Sequence, residues 1–119
     1  MIDNTFASPV NQLPATLGID IVIHSATKYF GGHSDILAGA VAASADHINQ
    51  IFQLAKNLGG SLSDFTVWML ERSMKTMGIR VKAQNKNALK LANYLEKLLL
   101  MVLENLNFLC HGSLRKPCS

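Results

Sequence analysis

A single segment of this sequence combines residue types that could support nucleophilic chemistry. Residues 24–35 read H-S-A-T-K-Y-F-G-G-H-S-D, which places Lys28 between hydroxyl residues and a pair of glycines. A lysine amine acts as a nucleophile when its surroundings favour the neutral form, as burial beside a cationic group does. The hydroxyls of Ser25 and Thr27 could donate hydrogen bonds to a phosphate, which glycines let backbone N–H groups approach. The spacing alone favours an ordinary strand end with a surface lysine.

The segments on either side of Lys28 must position it. Residues 19–24 read I-D-I-V-I-H, a β-branched, alternating pattern that predicts a buried strand ending directly before Ser25. Residues 25–35 form a polar, glycine-containing loop, and residues 38–43 (A-G-A-V-A-A) predict a second strand. Lys28 is therefore expected in a loop between two strands.

Three helices are expected after the second strand. Asp46 is the predicted N-cap of a helix that continues to about residue 58, before the glycines at 59 and 60. A second helix is predicted from residue 63 or 64 to residue 77, before the glycine at 78, and a third over residues 79–99. Strands followed by helices indicate an α/β protein with buried strands.

Several other side chains of chemical interest have a structural interpretation. His24 and His33 are interpreted as hydrogen-bonded residues that shape the strand end and the following loop, without a catalytic role. The side chains at helical spacing that we expect in the core are Trp68, Met69, Met74 and Met77. The basic residues that we expect on a solvated helix face, because no aromatic residues interleave them, are Arg72, Lys75, Arg80, Lys82, Lys86, Lys90 and Lys97.

The composition excludes several classes of protein. The 119 residues are 49% hydrophobic and 16% charged, which is typical of a folded chain. The longest apolar run, residues 98–103, is much shorter than the ~20 residues that a membrane-spanning helix needs. A net charge of +3 is too small to require nucleic acid as a partner. The first residues contain neither a basic region nor an apolar signal core, so we expect no secretion and a cytoplasmic location.

The two cysteines, Cys110 and Cys118, are expected to be free thiols. A disulfide is less expected in a chain without a secretory signal. The spacing of the cysteines and of His111 does not match the usual zinc ligands, so no metal site is predicted.

Several motifs, taken in order, resemble the Cys/Met-metabolism family of pyridoxal-phosphate enzymes. The first is D-N-T-F at residues 3–6, followed by G-I-D-I-V at residues 18–22 and by the segment that contains Lys28. The similarity covers about residues 2–97 and continues through Ala38-Gly39, Gly60, Leu70, Arg72, Lys75-Thr76, Arg80, Asn87-Ala88 and Tyr94-Leu95. This is the transsulfuration group: cystathionine γ-synthase, cystathionine β- and γ-lyases, methionine γ-lyase and the homoserine sulfhydrylases. The resemblance implies an α/β fold, as part of the large cofactor-binding domain of a fold-type I enzyme.

The resemblance implies roles for four residues. Lys28 matches the lysine that forms the Schiff base with pyridoxal phosphate and later moves the substrate α-proton. Ser25 and Thr27 match the hydroxyls that contact the phosphate. Asp3 matches the carboxylate that pairs with the pyridine nitrogen and keeps it protonated, so that the ring accepts electrons.

The resemblance also implies partners. The substrate would be an amino acid of the cystathionine, homoserine-ester, methionine or cysteine type, and the reaction a β- or γ-elimination or a γ-replacement. Cystathionine γ-synthase or γ-lyase chemistry is favoured. The full-length family implies a homotetramer, with neither nucleic acid nor a membrane as a partner.

The extent of the resemblance predicts that this chain is a fragment. Family members are longer, and their phosphate loop, ring-stacking aromatic residue and substrate-binding arginine match nothing here. The match ends after Lys97, which divides the chain into a partial cofactor domain, residues 1–97, and a divergent tail, residues 98–119. A frameshift, a premature stop, a gene remnant or genuine divergence would each explain this tail. Glu71 and Ser73 are mild departures from the family pattern. We therefore expect the isolated chain to be poorly soluble or to depend on partners.

Two other hypotheses stay open from the sequence. The chain could be a catalytically inactive remnant or accessory piece, because so much of the expected site is missing. A weaker alternative is a small basic binding module, since the pI is about 9.0.

Overall fold

The computed structural model describes residues 1–112, with side chains described through residue 103. This part of the chain contains a small sheet and four α-helices, which confirms the expected α/β class. The expectation of buried strands is wrong for the last strand, Gly39–Ala43, whose residues are all exposed or half-buried. The strands are β1 (Ile2–Asp3), β2 (Ile21–Ser25) and β3 (Gly39–Ala43). The helices are α1 (Ser8–Asn11), α2 (Ala45–Leu58), α3 (Asp64–Met74) and α4 (Met77–Gly112). The predictions for the thiols of Cys110 and Cys118 lie outside the described side chains.

The central strand of the sheet is β2, which pairs with both other strands. β1 is parallel to β2, with Asp3 opposite Ile23, and β3 is antiparallel to β2, with Ser25 opposite Gly39. The first of the predicted strands begins two residues late, at Ile21. A 3₁₀ turn at Pro14–Leu17 precedes the strand and ends at Gly18, which has φ +80°. The N–H of Ile19 donates to the carbonyl of Pro14, so Ile19 belongs to this turn and not to the strand.

Serine side chains cap the two middle helices. The backbone N–H of His47 donates to the Ser44 hydroxyl, so Ser44 caps α2 and the prediction that Asp46 is the cap is wrong. Asp46 instead lies in the first turn of α2, where the positive end of the helix dipole stabilises a negatively charged carboxylate. Ser63 caps α3, because its hydroxyl accepts from the N–H of Thr66 at 3.3 Å, and this agrees with the helix start predicted at residue 63 or 64.

The junction between α3 and α4 differs from the sequence prediction. Helix α3 ends at Met74, three residues before the predicted end, and Gly78 lies inside α4 instead of separating two helices. At the junction, the backbone N–H and the hydroxyl of Thr76 both donate to the carbonyl of Ser73, at 3.2 and 3.1 Å. This local hydrogen bonding replaces the helical pattern and redirects the chain before α4 begins.

The core of the described chain is small. Its buried apolar side chains are Val22, Ala26, Ile36 and Val81. Trp68 is 57% exposed and Met74 is 42% exposed, so the prediction that these two residues are in the core is wrong; Met69 and Met77 are half-buried. Many other large apolar side chains are also exposed, which is the physical basis for the expected low solubility.

The chain divides into two units, residues 1–82 and a second unit that begins at Ala83. In the second unit, the helical side chains described are all exposed, which confirms the solvated face for Lys86, Lys90 and Lys97. In the first unit Arg72, Lys75 and Lys82 are exposed, but Arg80 is half-buried and hydrogen-bonded, so its assignment to a solvated face is wrong. In the described part of the chain, no helix combines the length and apolar character needed to cross a membrane.

Candidate active site

The candidate site begins at the carboxyl ends of β1 and β2. Because these two strands are parallel, their carboxyl ends meet at the same edge of the sheet. Asp3 is the last residue of β1 and Ser25 is the last residue of β2. The structure thus brings together two of the four residues predicted for the site, although 22 positions separate them in the sequence.

Thr5 links these two strand ends. Its hydroxyl oxygen accepts a hydrogen bond from the backbone N–H of Ser25 at 2.7 Å. Its own N–H donates to Asp3 Oδ1 at 2.9 Å. Thr5 lies in the D-N-T-F motif, but the sequence pattern alone predicts no role for it. The available signal was a hydroxyl residue two positions after the acid, since such pairs form local turns.

The Asp3 carboxylate is held in its charged form. Hydrogen bonding from the Thr5 side chain, followed by that from the Thr5 backbone, lowers the pKa of Asp3 below its usual value. The positive form of His24 adds a smaller effect in the same direction. Asp3 is also exposed, so its carboxylate is available to a cationic partner.

Replacing Thr5 with valine is expected to destabilise the chain by ~1–3 kcal/mol, because the Ser25 N–H loses its acceptor. Thr5 is only 7% exposed, so water does not readily replace that acceptor. Thr5→Ser keeps the hydroxyl and should recover most of the loss. Urea unfolding followed by circular dichroism measures both variants. Equal midpoints for the valine and serine variants would contradict the link.

The two predicted phosphate hydroxyls differ in their hydrogen bonding. The Thr27 hydroxyl accepts from the backbone N–H of Ala38 at 2.9 Å and donates to the Ala38 carbonyl at 3.3 Å. The Ser25 hydroxyl has no hydrogen-bond partner within the described part of the chain. Ser25 can therefore donate to a ligand directly, whereas Thr27 would first have to release the long bond to Ala38.

Lys28 lies in a short helical turn, Thr27–Gly31, that follows β2. The backbone leaves the helical region at Lys28 itself (φ −83°, ψ −111°), so the lysine occupies a kink. Its side chain is exposed, and no ion pair holds its amine among the residues that the structure describes. The burial that would favour a neutral amine is thus not supplied by this part of the chain.

The two histidines that flank Lys28 pack against the same turn. His33 Nδ1 donates to the Gly31 carbonyl at 2.7 Å, which confirms that His33 shapes the loop. His24 is 5% exposed, and its ring packs against Phe30 with centroids 4.8 Å apart. His24 Nδ1 has no hydrogen-bond partner among the described residues, so the hydrogen bond predicted for His24 is not made at this atom.

The buried His24 makes stability depend on pH. Burial lowers the pKa of His24 below its usual value, and the attraction of Asp3 opposes this only partly. A folded-state pKa below the unfolded value of about 6.5 means that the unfolded chain binds the proton more readily. The contribution of neutral His24 to the free energy of unfolding is therefore fully present above pH 6.5, and it is lost as the pH falls through the folded-state pKa of His24.

We expect the unfolding midpoint in urea to decrease between pH 7 and pH 5, and this decrease to be smaller in His24→Gln. The exposed His47 supplies the matched control, His47→Gln, which should keep the pH dependence of the original chain. A His24→Gln variant with an undiminished pH dependence would contradict the assignment to His24.

Comparison with known proteins identifies the family. The family described as Cys/Met metabolism PLP-dependent enzyme matches residues 1–107. The probable cystathionine γ-synthase of Herpetosiphon aurantiacus is 45% identical over 96 residues, which are 80% of this chain and 30% of that protein. The cystathionine γ-synthase/O-acetylhomoserine (thiol)-lyase of Bacillus subtilis is 47% identical over 98 residues, 82% of this chain and 26% of that protein.

A solved structure agrees with these sequences. The cystathionine γ-lyase from Lactobacillus plantarum, complexed with L-serine, matches with a TM-score of 0.76 at 45% identity, over 80% of this chain and 25% of that chain. The chain therefore belongs to the Cys/Met metabolism family of pyridoxal-phosphate enzymes, and its fold is part of the α/β domain of the fold-type I group. It spans between a quarter and a third of the length of these relatives.

The relatives do not share one reaction. The chain is 45% identical to a cystathionine γ-lyase from Bacillus subtilis and 44% identical to a cystathionine β-lyase from Lactococcus lactis, which are similar levels to those above. The level of identity therefore shows the family, and it does not separate a synthase from a lyase.

Proposed function

We propose that this chain carries the cofactor-attachment segment of a pyridoxal-phosphate enzyme that performs β- or γ-elimination or γ-replacement on a sulfur-containing amino acid. Cystathionine γ-synthase or γ-lyase chemistry is the form we favour. The observation that carries the proposal is the edge of the sheet at which the Asp3 carboxylate lies beside the end of β2, followed by Lys28 in the next turn.

The residues at this edge fit the groups of pyridoxal phosphate. The cofactor has a basic ring nitrogen, a phosphate and an aldehyde, and the site offers a carboxylate, a hydroxyl and an amine. The carboxylate of Asp3 is stabilised in its charged form, the Ser25 hydroxyl has no partner within the described chain, and no ion pair there engages the Lys28 amine. Each cofactor group would thus meet a side chain of complementary chemistry.

Each residue has a separate task in this proposal. Asp3 accepts a hydrogen bond from the protonated ring nitrogen and balances its charge. Ser25 donates its hydroxyl proton to a phosphate oxygen, and Thr27 does the same once its bond to Ala38 is released. Lys28 Nζ provides the amine for attachment and, once free, carries the α-proton of the substrate. When bound, the cofactor supplies an aldehyde that condenses with amines and a ring that accepts electrons.

The substrate class is tested by turnover of a panel of amino acids. Cystathionine, methionine, cysteine, an O-acylated homoserine and two unrelated amino acids, alanine and aspartate, are added separately to the chain with pyridoxal phosphate. In one further mixture the O-acylated homoserine is added together with cysteine, which supplies the thiol that replacement needs. Elimination releases ammonia and a 2-oxo acid, whereas replacement consumes a thiol without releasing ammonia. Product formation with a sulfur amino acid or homoserine ester supports the proposal, and turnover of unrelated amino acids alone would contradict it.

An alternative for the isolated chain is cofactor binding without turnover. The exposure of Asp3 and Lys28 favours it, because an exposed site does not exclude water from the reacting groups. The limited share of the relatives' length that the chain spans points the same way. Specific labelling of Lys28 by the cofactor, with no product from any substrate in the panel, is the result that this alternative predicts.

We also propose that the activity belongs to a cytoplasmic homo-oligomer, with a tetramer as the form that the resemblance implies. The exposed apolar side chains of α2 and α3, which include Phe52, Phe65 and Trp68, support association because they would otherwise remain in water. Sedimentation velocity at several protein concentrations distinguishes an oligomer from a monomer.

A further inference from the structure

We infer that Arg80 is a positioning residue for Lys28: it caps the Lys28 turn and ties this turn to the junction of α3 and α4. The inference rests on the proposed function, because it concerns the lysine that would hold the cofactor. Arg80 lies in α4, 52 positions after Lys28 in the sequence, and its side chain is half-buried against the turn.

The guanidinium of Arg80 donates to carbonyls on both sides. Nη1 donates to the Tyr29 carbonyl at 3.0 Å, and Nη2 donates to the Phe30 carbonyl at 3.3 Å. Nη2 also donates to the Ser73 carbonyl at 3.0 Å, at the end of α3, and Nε donates to the Thr76 hydroxyl at 3.1 Å. A single planar side chain thus joins the two residues after Lys28 to the α3–α4 junction.

The carbonyls of Lys28 and Gly31, in the same turn, have local partners. The Lys28 carbonyl accepts from the N–H of Gly32 at 2.7 Å, and the Gly31 carbonyl accepts from His33 Nδ1 at 2.7 Å. The Tyr29 and Phe30 carbonyls lie between these two, and Arg80 supplies their side-chain donor. A helical turn leaves its last carbonyls without intrahelical partners. A cationic side chain at this end donates hydrogen bonds to these carbonyls, and its positive charge attracts their partial negative charge.

A second observation shows how closely the guanidinium approaches the turn. Gly32 ends the turn with φ +75°, and a Cβ atom there would overlap the guanidinium of Arg80. The glycine thus supplies both the left-handed backbone and the space for Arg80. Arg80 and Gly32 together hold the kink at Lys28 in place.

Lysine cannot reproduce this arrangement. Its ammonium is a point charge on a flexible stem, whereas the fork of arginine reaches several acceptors at once. Arg80→Lys therefore keeps the charge and removes the fork. Lys82→Arg is the matched control, because Lys82 is exposed on the same helix and the reverse exchange there should change nothing.

Two measurements test the inference on the full chain. The first is hydrogen exchange followed by mass spectrometry of a peptide that covers residues 26–36, with a peptide from β2 as the internal reference. The second is the extent to which pyridoxal phosphate and borohydride label Lys28, measured as a function of pH. We expect Arg80→Lys to raise exchange in the turn about tenfold or more and to lower labelling of Lys28 about tenfold at a fixed cofactor concentration. Exchange in β2 should stay unchanged.

The possible outcomes separate this inference from the proposed function. Unchanged exchange in the turn, or raised exchange with unchanged labelling and pH profile at Lys28, would overturn the positioning role. If Arg80→Lys fails to fold, Gly32→Ala displaces the same guanidinium from the other side and should give both effects. A folded Gly32→Ala that shows neither effect overturns the role as well. Absence of Lys28 labelling in the unsubstituted chain would count against the proposed function, and the exchange rates then decide whether Arg80 holds the turn.

Discussion

Lys28→Arg is expected to abolish covalent attachment of pyridoxal phosphate to its specific site and to reduce any turnover by about 10³-fold or more. Arginine keeps the positive charge and much of the length of lysine, but its guanidinium stays protonated and does not act as the attacking amine. The change therefore removes the chemistry of the residue with little change in charge. Cofactor absorbance after gel filtration, together with product formation, measures the result.

The control for this experiment is Lys75→Arg, which exchanges an exposed lysine at the α3–α4 junction. It should leave both attachment and turnover unchanged. Specific attachment that survives in Lys28→Arg would show that another lysine holds the cofactor, which would remove the chemical basis of the proposed function.

The second large effect is expected from Asp3→Asn, which should weaken cofactor binding about tenfold to a hundredfold. Asparagine retains an oxygen that can accept from the Thr5 N–H, now 2.9 Å from Asp3 Oδ1, so the local turn is preserved. The variant removes the negative charge that would stabilise a protonated ring nitrogen. Fluorescence titration with pyridoxal phosphate measures the dissociation constant.

The role of Asp3 also predicts a pH profile. Hydrogen bonding from Thr5 lowers the pKa of Asp3, so its carboxylate stays charged throughout the range from pH 5 to pH 8. Asp3 should therefore add no pH dependence to cofactor binding in this range. Asp20→Asn, a change at an exposed aspartate before β2, is the matched control and should bind normally. Equal dissociation constants for Asp3→Asn and Asp20→Asn would contradict the pairing of Asp3 with the ring.

Local sequence patterns predicted much of the secondary structure. The alternation in I-D-I-V-I-H predicted β2, and the glycines at 59 and 60 predicted the end of α2, where Gly59 adopts φ +73°. Both signals are local, because strand alternation and left-handed glycine geometry depend on neighbouring residues. The wrong cap at Asp46 has a local cause as well, since two residues that can cap a helix, Ser44 and Asp46, lie two positions apart.

Long-range contacts account for what the sequence patterns missed. In the sequence, Arg80 is one of several basic residues with a helical spacing. Only the fold shows that it contacts the carbonyls of Tyr29 and Phe30, about 50 positions away. Trp68 follows an apolar helical spacing, but its ring stacks on the exposed Phe65 and the side chain stays 57% exposed in the described chain. The spacing of Asp3 and Ser25 gave no sign of their proximity, because parallel pairing of β1 and β2 brings them together.

The roles of the site residues came from family resemblance and remain predictions. The structure shows which atoms are free to act: the Ser25 hydroxyl has no partner within the described chain, and the Thr27 hydroxyl is bound to Ala38. We therefore expect Ser25 to contribute more to phosphate binding than Thr27. The division of the sequence after residue 97 likewise remains a prediction.

The measurement that tests the central claim most directly is the position of the reduced cofactor adduct. The purified chain is mixed with pyridoxal phosphate, reduced with borohydride and digested, and the modified lysine is identified by mass spectrometry. The account predicts one label per chain, confined to Lys28. Labels scattered over exposed lysines such as Lys75, Lys82, Lys86 and Lys90, or no label at all, would contradict the claim that this segment forms a cofactor site.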